Sequence, residues 1–151
     1  MNPRRQRIEK VITHRGKELD KRVAELSQQK AREEAARLAA EREREELERA
    51  SQSRLKLTEG PLSANDWVEA NEWLRVRSAQ SELADLQAQK ARVGTQRATA
   101  HVLHARTDLK KVEVLSARIG AEEQSERERA ERRLEDELTA LRFASDRRED
   151  K

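Results

Sequence analysis

The sequence predicts an all-α fold, an elongated antiparallel two-helix coiled-coil hairpin with a longer C-terminal helix. Three observations carry that prediction. Of 151 residues, 33 are Lys or Arg and 30 are Asp or Glu, and only 34% are hydrophobic. Too few large apolar side chains exist to fill a globular core. The two signs nearly cancel, at a net charge of +3, which argues against a disordered polyelectrolyte with one sign in excess. Only four Gly and two Pro interrupt the chain, the composition of long helices and coiled coils.

Helix one is expected from about 3 to 57. Asn2 caps it and Pro3 opens it, where a missing N–H costs nothing. The corner follows at about 58–63. Gly60 suits the left-handed position after a helix end, and Pro61 blocks continuation. Ser63 is a good N-cap for helix two, with acidic Asp66 at its third position. Leu62 before that cap and Trp67 in the first turn have the spacing of a hydrophobic staple. Helix two then runs from about 64 to 146, and the whole of 1–151 reads as a single coiled-coil stalk. Gly94 and Gly120 lie inside helix two, each costing about 1 kcal/mol relative to Ala, and are expected at bends or close helix approaches.

The apolar spacing indicates the pairing face. In helix one, Ile12, Leu19 and Leu26 are seven apart, joined by Ile8 and Val23, and Ala40, Leu47, Ala50 and Leu57 form a later block. Between them the stripe drifts through Ala31, Ala35 and Leu38, a break in heptad phase. In helix two the expected seam is Val76, Ala79, Leu83, Leu86 and Val93, then Val112, Leu115 and Ile119, then Leu134, Leu138 and Leu141. Trp67, Ala70 and Leu74 share the seam near the corner, which leaves Trp73 on its flank. A short connection makes the helices antiparallel, with facing positions summing to roughly 121. Helix two then outruns the N-terminus from about Ile119.

Other classes find little support. No run of apolar residues is long enough to span a membrane, and the N-terminus lacks the apolar core of a secretory signal. There is no Cys, hence no thiolate site. No phosphate loop or pocket suggests catalysis, so no catalytic residue and no cofactor is expected. His101 and His104 stand three apart, with His14 near them in the expected register, but nothing completes a metal site. The basic residues lack interleaved aromatics, so nucleic acid is not an expected partner. Trp67 and Trp73 either cover a loosely packed hairpin tip, as bulky residues that end a coil seam do, or form a partner-binding patch, because Trp is enriched in interface anchors.

Two runs carry a family resemblance. They are Asp108-Leu109-Lys110-Lys111-Val112-Glu113-Val114-Leu115 and Glu131-Arg132-Arg133-Leu134-Glu135-Asp136-Glu137-Leu138, with Arg142-Phe143 shortly after. With the single corner and the cysteine-free coil, the chain resembles the central-stalk proteins of bacterial type III export ATPases, the FliJ/YscO family, and the injectisome branch more than the flagellar one. The resemblance implies a non-enzymatic stalk in the bacterial cytoplasm, peripheral to the inner-membrane export apparatus and, in an injectisome, serving virulence. Its end with both termini would enter the pore of a hexameric ATPase through Arg4, Arg5, Arg7, Ile8, Leu134, Leu138, Leu141 and Phe143. Its hairpin end would meet a membrane export-gate protein through Leu57, Leu62, Trp67, Ala70, Trp73 and Leu74. Secretion chaperones are further expected partners; membrane insertion is not expected. An export escort that holds secretion partners by helix pairing, or a plain structural spacer, are the alternatives.

Overall fold

A computed structural model of the protein describes residues 2–61 and 63–150. Two helices account for almost all of them: α1, Pro3–Leu57, with 55 residues, and α2, Ala64–Glu149, with 86. No strand occurs among the described residues. The caps are those expected from the sequence. The Arg4 N–H donates to Asn2 Oδ1 at 3.0 Å, and the Asp66 N–H donates to Ser63 Oγ at 3.1 Å. Each satisfies a donor that the first turn of a helix leaves open.

The end of α1 differs from expectation. No glycine among the described residues has a positive φ, so Gly60 does not supply a left-handed cap. Instead the Thr58 and Glu59 N–H groups donate to the Leu55 and Lys56 carbonyls, each at 3.2 Å. The Thr58 hydroxyl also donates to the Leu55 carbonyl at 2.6 Å. Tight three-residue turns thus satisfy the last carbonyls before Pro61. The expected Leu62–Trp67 staple involves Leu62, which lies outside the described residues.

The chain forms two compact units, Glu18–Ala105 and a second made of Met1–Lys17 with Arg106–Lys151. In the first, the hairpin unit, α1 and α2 pair along a seam with alternating steps of three and four. On α2 the inward positions run Trp67, Ala70, Leu74, Arg77, Ser81, Ala84, Ala88, Ala91, Thr95, Ala98, Val102 and Ala105. On α1 they include Leu19, Leu26, Gln29, Glu33, Ala36, Ala40, Glu43, Leu47, Ala50 and Arg54. The most enclosed residues are small: Ala40, Ala50, Ser81, Ala84, Ala98, Val102 and Ala105 are all buried. Such side chains let backbones approach. The Thr95 hydroxyl reaches across to the Gln29 carbonyl at 3.3 Å, and a Cβ on Gly94 would come within 2.9 Å of Gln29 Oε1.

This seam corrects several sequence expectations. Val76, Ala79, Leu83, Leu86 and Val93 point outward, with Leu83 57% and Leu86 55% exposed. On α1, Val23, Ala31, Ala35 and Leu38 are also exposed, and the heptad does not break between residues 26 and 40. It continues through Gln29, Glu33 and Ala36, polar or small residues that a search for large aliphatics passes over. The physical reason is continuity. Lys90 and Arg97 interrupt the Leu83 stripe, whereas the small-residue seam extends through the whole unit. The register is also shifted. The expected spacing puts Gln29 against Arg92, but Gln29 meets Gly94 and Thr95.

One charged pair lies in the seam. Arg77 Nη1 is 3.7 Å from Glu43 Oε2, close enough for ion pairing but not for a hydrogen bond. Glu43 Oε2 and Arg77 Nε are buried without a hydrogen-bond partner. Sliding either helix by one layer would set Glu43 against Leu74 or Ser81 and Arg77 against Ala40 or Leu47, so this pair marks the register.

In the terminal unit, Ile8, Ile12, Leu109, Val112 and Ser116 are half-buried and Ile119 is buried. Leu115, expected in the seam, is exposed. Arg15 pairs with Asp108 at 3.7 Å, and the Asn2 amide donates to Glu123 Oε1 at 2.9 Å. From Gln124 to Asp150 every residue is exposed, including Leu134, Leu138 and Leu141. α2 remains helical through Gly120, whose Cβ position has no neighbour within 4 Å. No close approach explains that glycine.

Ala98→Asp is expected to lower stability by about 3 kcal/mol, because it forces an unpaired charge into the seam. Leu83→Asp in dilute solution should cost less than about 0.5 kcal/mol, the usual range for an exposed position. Urea unfolding of both variants checks the face assignment; the reverse ranking would move the seam back onto Leu83. For this half-buried pair, Glu43→Ala should cost about 1–2 kcal/mol, while Glu43→Leu combined with Arg77→Met should be neutral or stabilising. A double variant less stable than Glu43→Ala would show that the pair is not merely a register marker.

Candidate functional site

Two regions hold the residues singled out by sequence, and each belongs to one unit. The first is the corner of the hairpin unit. Trp67 sits half-buried at the first seam position of α2, followed at three and seven by half-buried Ala70 and Leu74. Trp73 is 52% exposed, on the flank where the helical spacing puts it. Leu57 is exposed at the end of α1.

Arginines organise this corner. The Arg54 guanidinium lies 4.8 Å from the Trp67 ring centre, bridging α1 to α2. The Arg77 guanidinium lies 4.5 Å from the Trp73 ring centre. A cation over an indole face is attracted by the ring quadrupole, worth about 0.5–1 kcal/mol at exposed sites and more when desolvated. Sequence reasoning missed both arginines. The signal was present, since Arg54 lies seven after Leu47 and Arg77 three after Leu74, but it requires counting heptad positions without regard to polarity.

Beside the Trp73 ring is an open cavity of about 270 Å³, lined by Ala50, Ser53, Arg54, Leu57, Asp66, Glu69, Ala70 and Trp73. It combines an aromatic wall with two carboxylates, a setting suited to a basic or aliphatic side chain of a protein partner. Close by, Arg75 Nη2 hydrogen-bonds Glu72 Oε1 at 2.5 Å. That bond holds the Glu72 carboxyl below its ordinary pKa. The pair therefore favours the folded helix above the usual carboxylate range, and the effect is lost as pH falls through the lowered value. Being fully exposed, it contributes little.

The second region is the end of the terminal unit. Arg4 and Arg7 are exposed. Arg5 is already engaged, with Glu9 at 3.6 Å and Glu123 at 3.7 Å. Ile8 is half-buried against the seam rather than displayed. A cavity of about 400 Å³ lies between Asn2, Arg5, Glu123, Glu126, Arg127 and Ala130. Beyond it, Leu134, Leu138, Leu141 and Phe143 are 56–68% exposed, and the three leucines share one face at steps of four and three.

The histidines do not form a cluster. Arg22 Nη1 approaches His101 Nδ1 at 3.5 Å, and among the described residues no group of three or more His, Asp or Glu is arranged to hold a metal ion. No helix among the described residues is long and apolar enough to cross a membrane. No protein-family model, no curated protein and no solved structure matches the chain.

Trp67→Ala should lower stability by about 2 kcal/mol, and Arg54→Ala by about 1 kcal/mol. Their double-mutant cycle should return a coupling of about 0.5–1 kcal/mol. Trp73→Ala should cost less than either, because its ring is mostly in water. Additive effects of Trp67→Ala and Arg54→Ala in thermal melts would show that the bridge carries no coupling energy.

Proposed function

We propose that the protein is a non-enzymatic central stalk of a type III protein-export ATPase, docking in the hexamer pore and coupling it to the membrane export gate. The observation that carries this reading is the C-terminal part of α2. From Gln124 to Asp150 every residue is exposed, and this stretch displays Leu134, Leu138, Leu141 and Phe143. An uncovered amphipathic helix beside exposed Arg4 and Arg7 is suited to insertion among the subunits of a ring. The resemblance of the Asp108–Leu115 and Glu131–Leu138 runs to the FliJ/YscO family supports the same reading.

Mechanistically, a single asymmetric stalk makes unequal contacts with six equivalent subunits. Differential binding then favours different nucleotide states in different subunits, which is a coupling free energy rather than catalysis. The corner, with Trp67 and Trp73, is the surface proposed for the gate protein. On this reading the protein works in the bacterial cytoplasm at the inner-membrane export apparatus.

The test is ATPase stimulation by less than one stalk per hexamer. Arg4→Glu with Arg7→Glu should cut stimulation about tenfold at low ionic strength, with the difference shrinking as salt rises. Deleting residues 134–151 should abolish stimulation while α1 and the rest of α2 stay helical. Trp73→Ala should leave stimulation intact but weaken gate binding by about 2 kcal/mol, the scale of an interface anchor. A wild-type chain that leaves the ATPase rate unchanged while capturing export chaperones would assign the escort role instead.

A further inference from the structure

The hairpin unit carries a second heptad stripe that α1 does not use. Val76, Ala79, Leu83, Leu86 and Val93 lie two positions out of phase with the seam, which rotates them by about 200° on the helix. All five are exposed, at 37% for Val76, 57% for Leu83, 55% for Leu86 and 43% for Val93 among the larger four. Over the same stretch the covered face consists of Arg77, Ser81, Ala84, Ala88 and Ala91. The uncovered face is the more apolar of the two. An open groove of about 280 Å³ runs along it between Val76, Ala79, Gln80 and Leu83, with Arg75 at its edge. Apolar residues repeating at three and four match one kind of occupant, another α-helix lying along the stripe.

We propose that the occupant is a second copy of this chain, with α2 packed antiparallel on α2 about a two-fold axis between Ala84 and Asp85. The charge pattern selects both the partner and its direction. Parallel pairing would set Lys90 against Lys90 between the Leu86 and Val93 layers. Antiparallel pairing sets Leu83 on Leu86 and Val76 on Val93 of the second copy, and Lys90 on Ala79. The short Ala79 side chain leaves room for the Lys90 stem to lie along the interface while its ammonium reaches water. The flanks agree. Antiparallel pairing brings Gln80 near Gln87 and Glu82 near Gln89 of the second copy, with no like charges opposed. Flanks in which Gln80, Gln87 and Gln89 are neutral amides offer little to a strongly charged partner helix but are self-complementary.

This surface includes none of the residues assigned to the ATPase or the gate, so the proposal stands apart from the stalk reading. The chain has no native Cys, so single thiols can be introduced cleanly. Sedimentation equilibrium of the full chain, over a series reaching millimolar concentration, should show a shift from one chain to two. Leu83→Asp with Leu86→Asp should give the one-chain mass throughout, with helicity by circular dichroism unchanged. Under mild oxidation, a mixture of Val76→Cys and Val93→Cys chains should form the mixed disulfide, and neither variant alone should form its own. A one-chain mass for the wild type at every concentration overturns the proposal. So does a double variant that still dimerises, or Val76→Cys chains that cross-link to each other as readily as to Val93→Cys.

Discussion

Close approach of two helix backbones is the constraint on which the rest of the hairpin unit depends. It exists because Ala40, Ala50, Ser81, Ala84, Ala98 and Ala105 occupy enclosed positions where larger side chains would hold the helices apart. Only at such proximity can the Thr95 hydroxyl on α2 donate to a backbone carbonyl of α1. Each enclosed methyl or methylene contributes only about 0.8 kcal/mol. Stability is therefore spread over many thin layers, and no single aliphatic anchor dominates.

The same constraint decides what lies outside. Between Ser81 and Ala91 the covered face of α2 is built from serine and alanine, while Leu83, Leu86 and Val93 face away from α1. In the seam Arg77 lies beside Glu43 and over Trp73. Elsewhere some charges pair between the helices, as Arg44 does with Asp85 at 2.7 Å, and others pair within one helix. Arg37 pairs with both Glu34 and Glu41 at 2.6 Å, and Arg49 pairs with Glu46 at 2.9 Å. Such exposed pairs support helix formation along α1 and say nothing about which face meets the other helix.

That division explains how much could be read from the sequence. Helix limits were legible because they rest on local chemistry: Asn2, Pro3 and Ser63 act within one turn of themselves. The mode of ending α1 was not, because Thr58 can close the turns that Gly60 was expected to close. The seam was misread where it mattered most, since hydrophobicity ranks Leu83 above Ala84 while backbone proximity favours Ala84. The Trp pair was placed correctly around the helix, yet its arginine partners were invisible to a search for apolar residues. Of the end proposed for the ATPase, the exposed arginines were legible. The involvement of Arg5 with Glu123 depends on a register that was shifted by about half a turn or more.

The position of the aromatic residues also fixes what light can report. With no Tyr and only two Trp, ultraviolet emission comes from Trp67 and Trp73, both within Glu18–Ala105. Each indole lies under a guanidinium, so its spectrum responds to the loss of one cation contact. The other unit holds only Phe143 and is optically dark at those wavelengths. A melt followed by emission is therefore a measurement of one unit, and amide absorption is needed to follow the remainder.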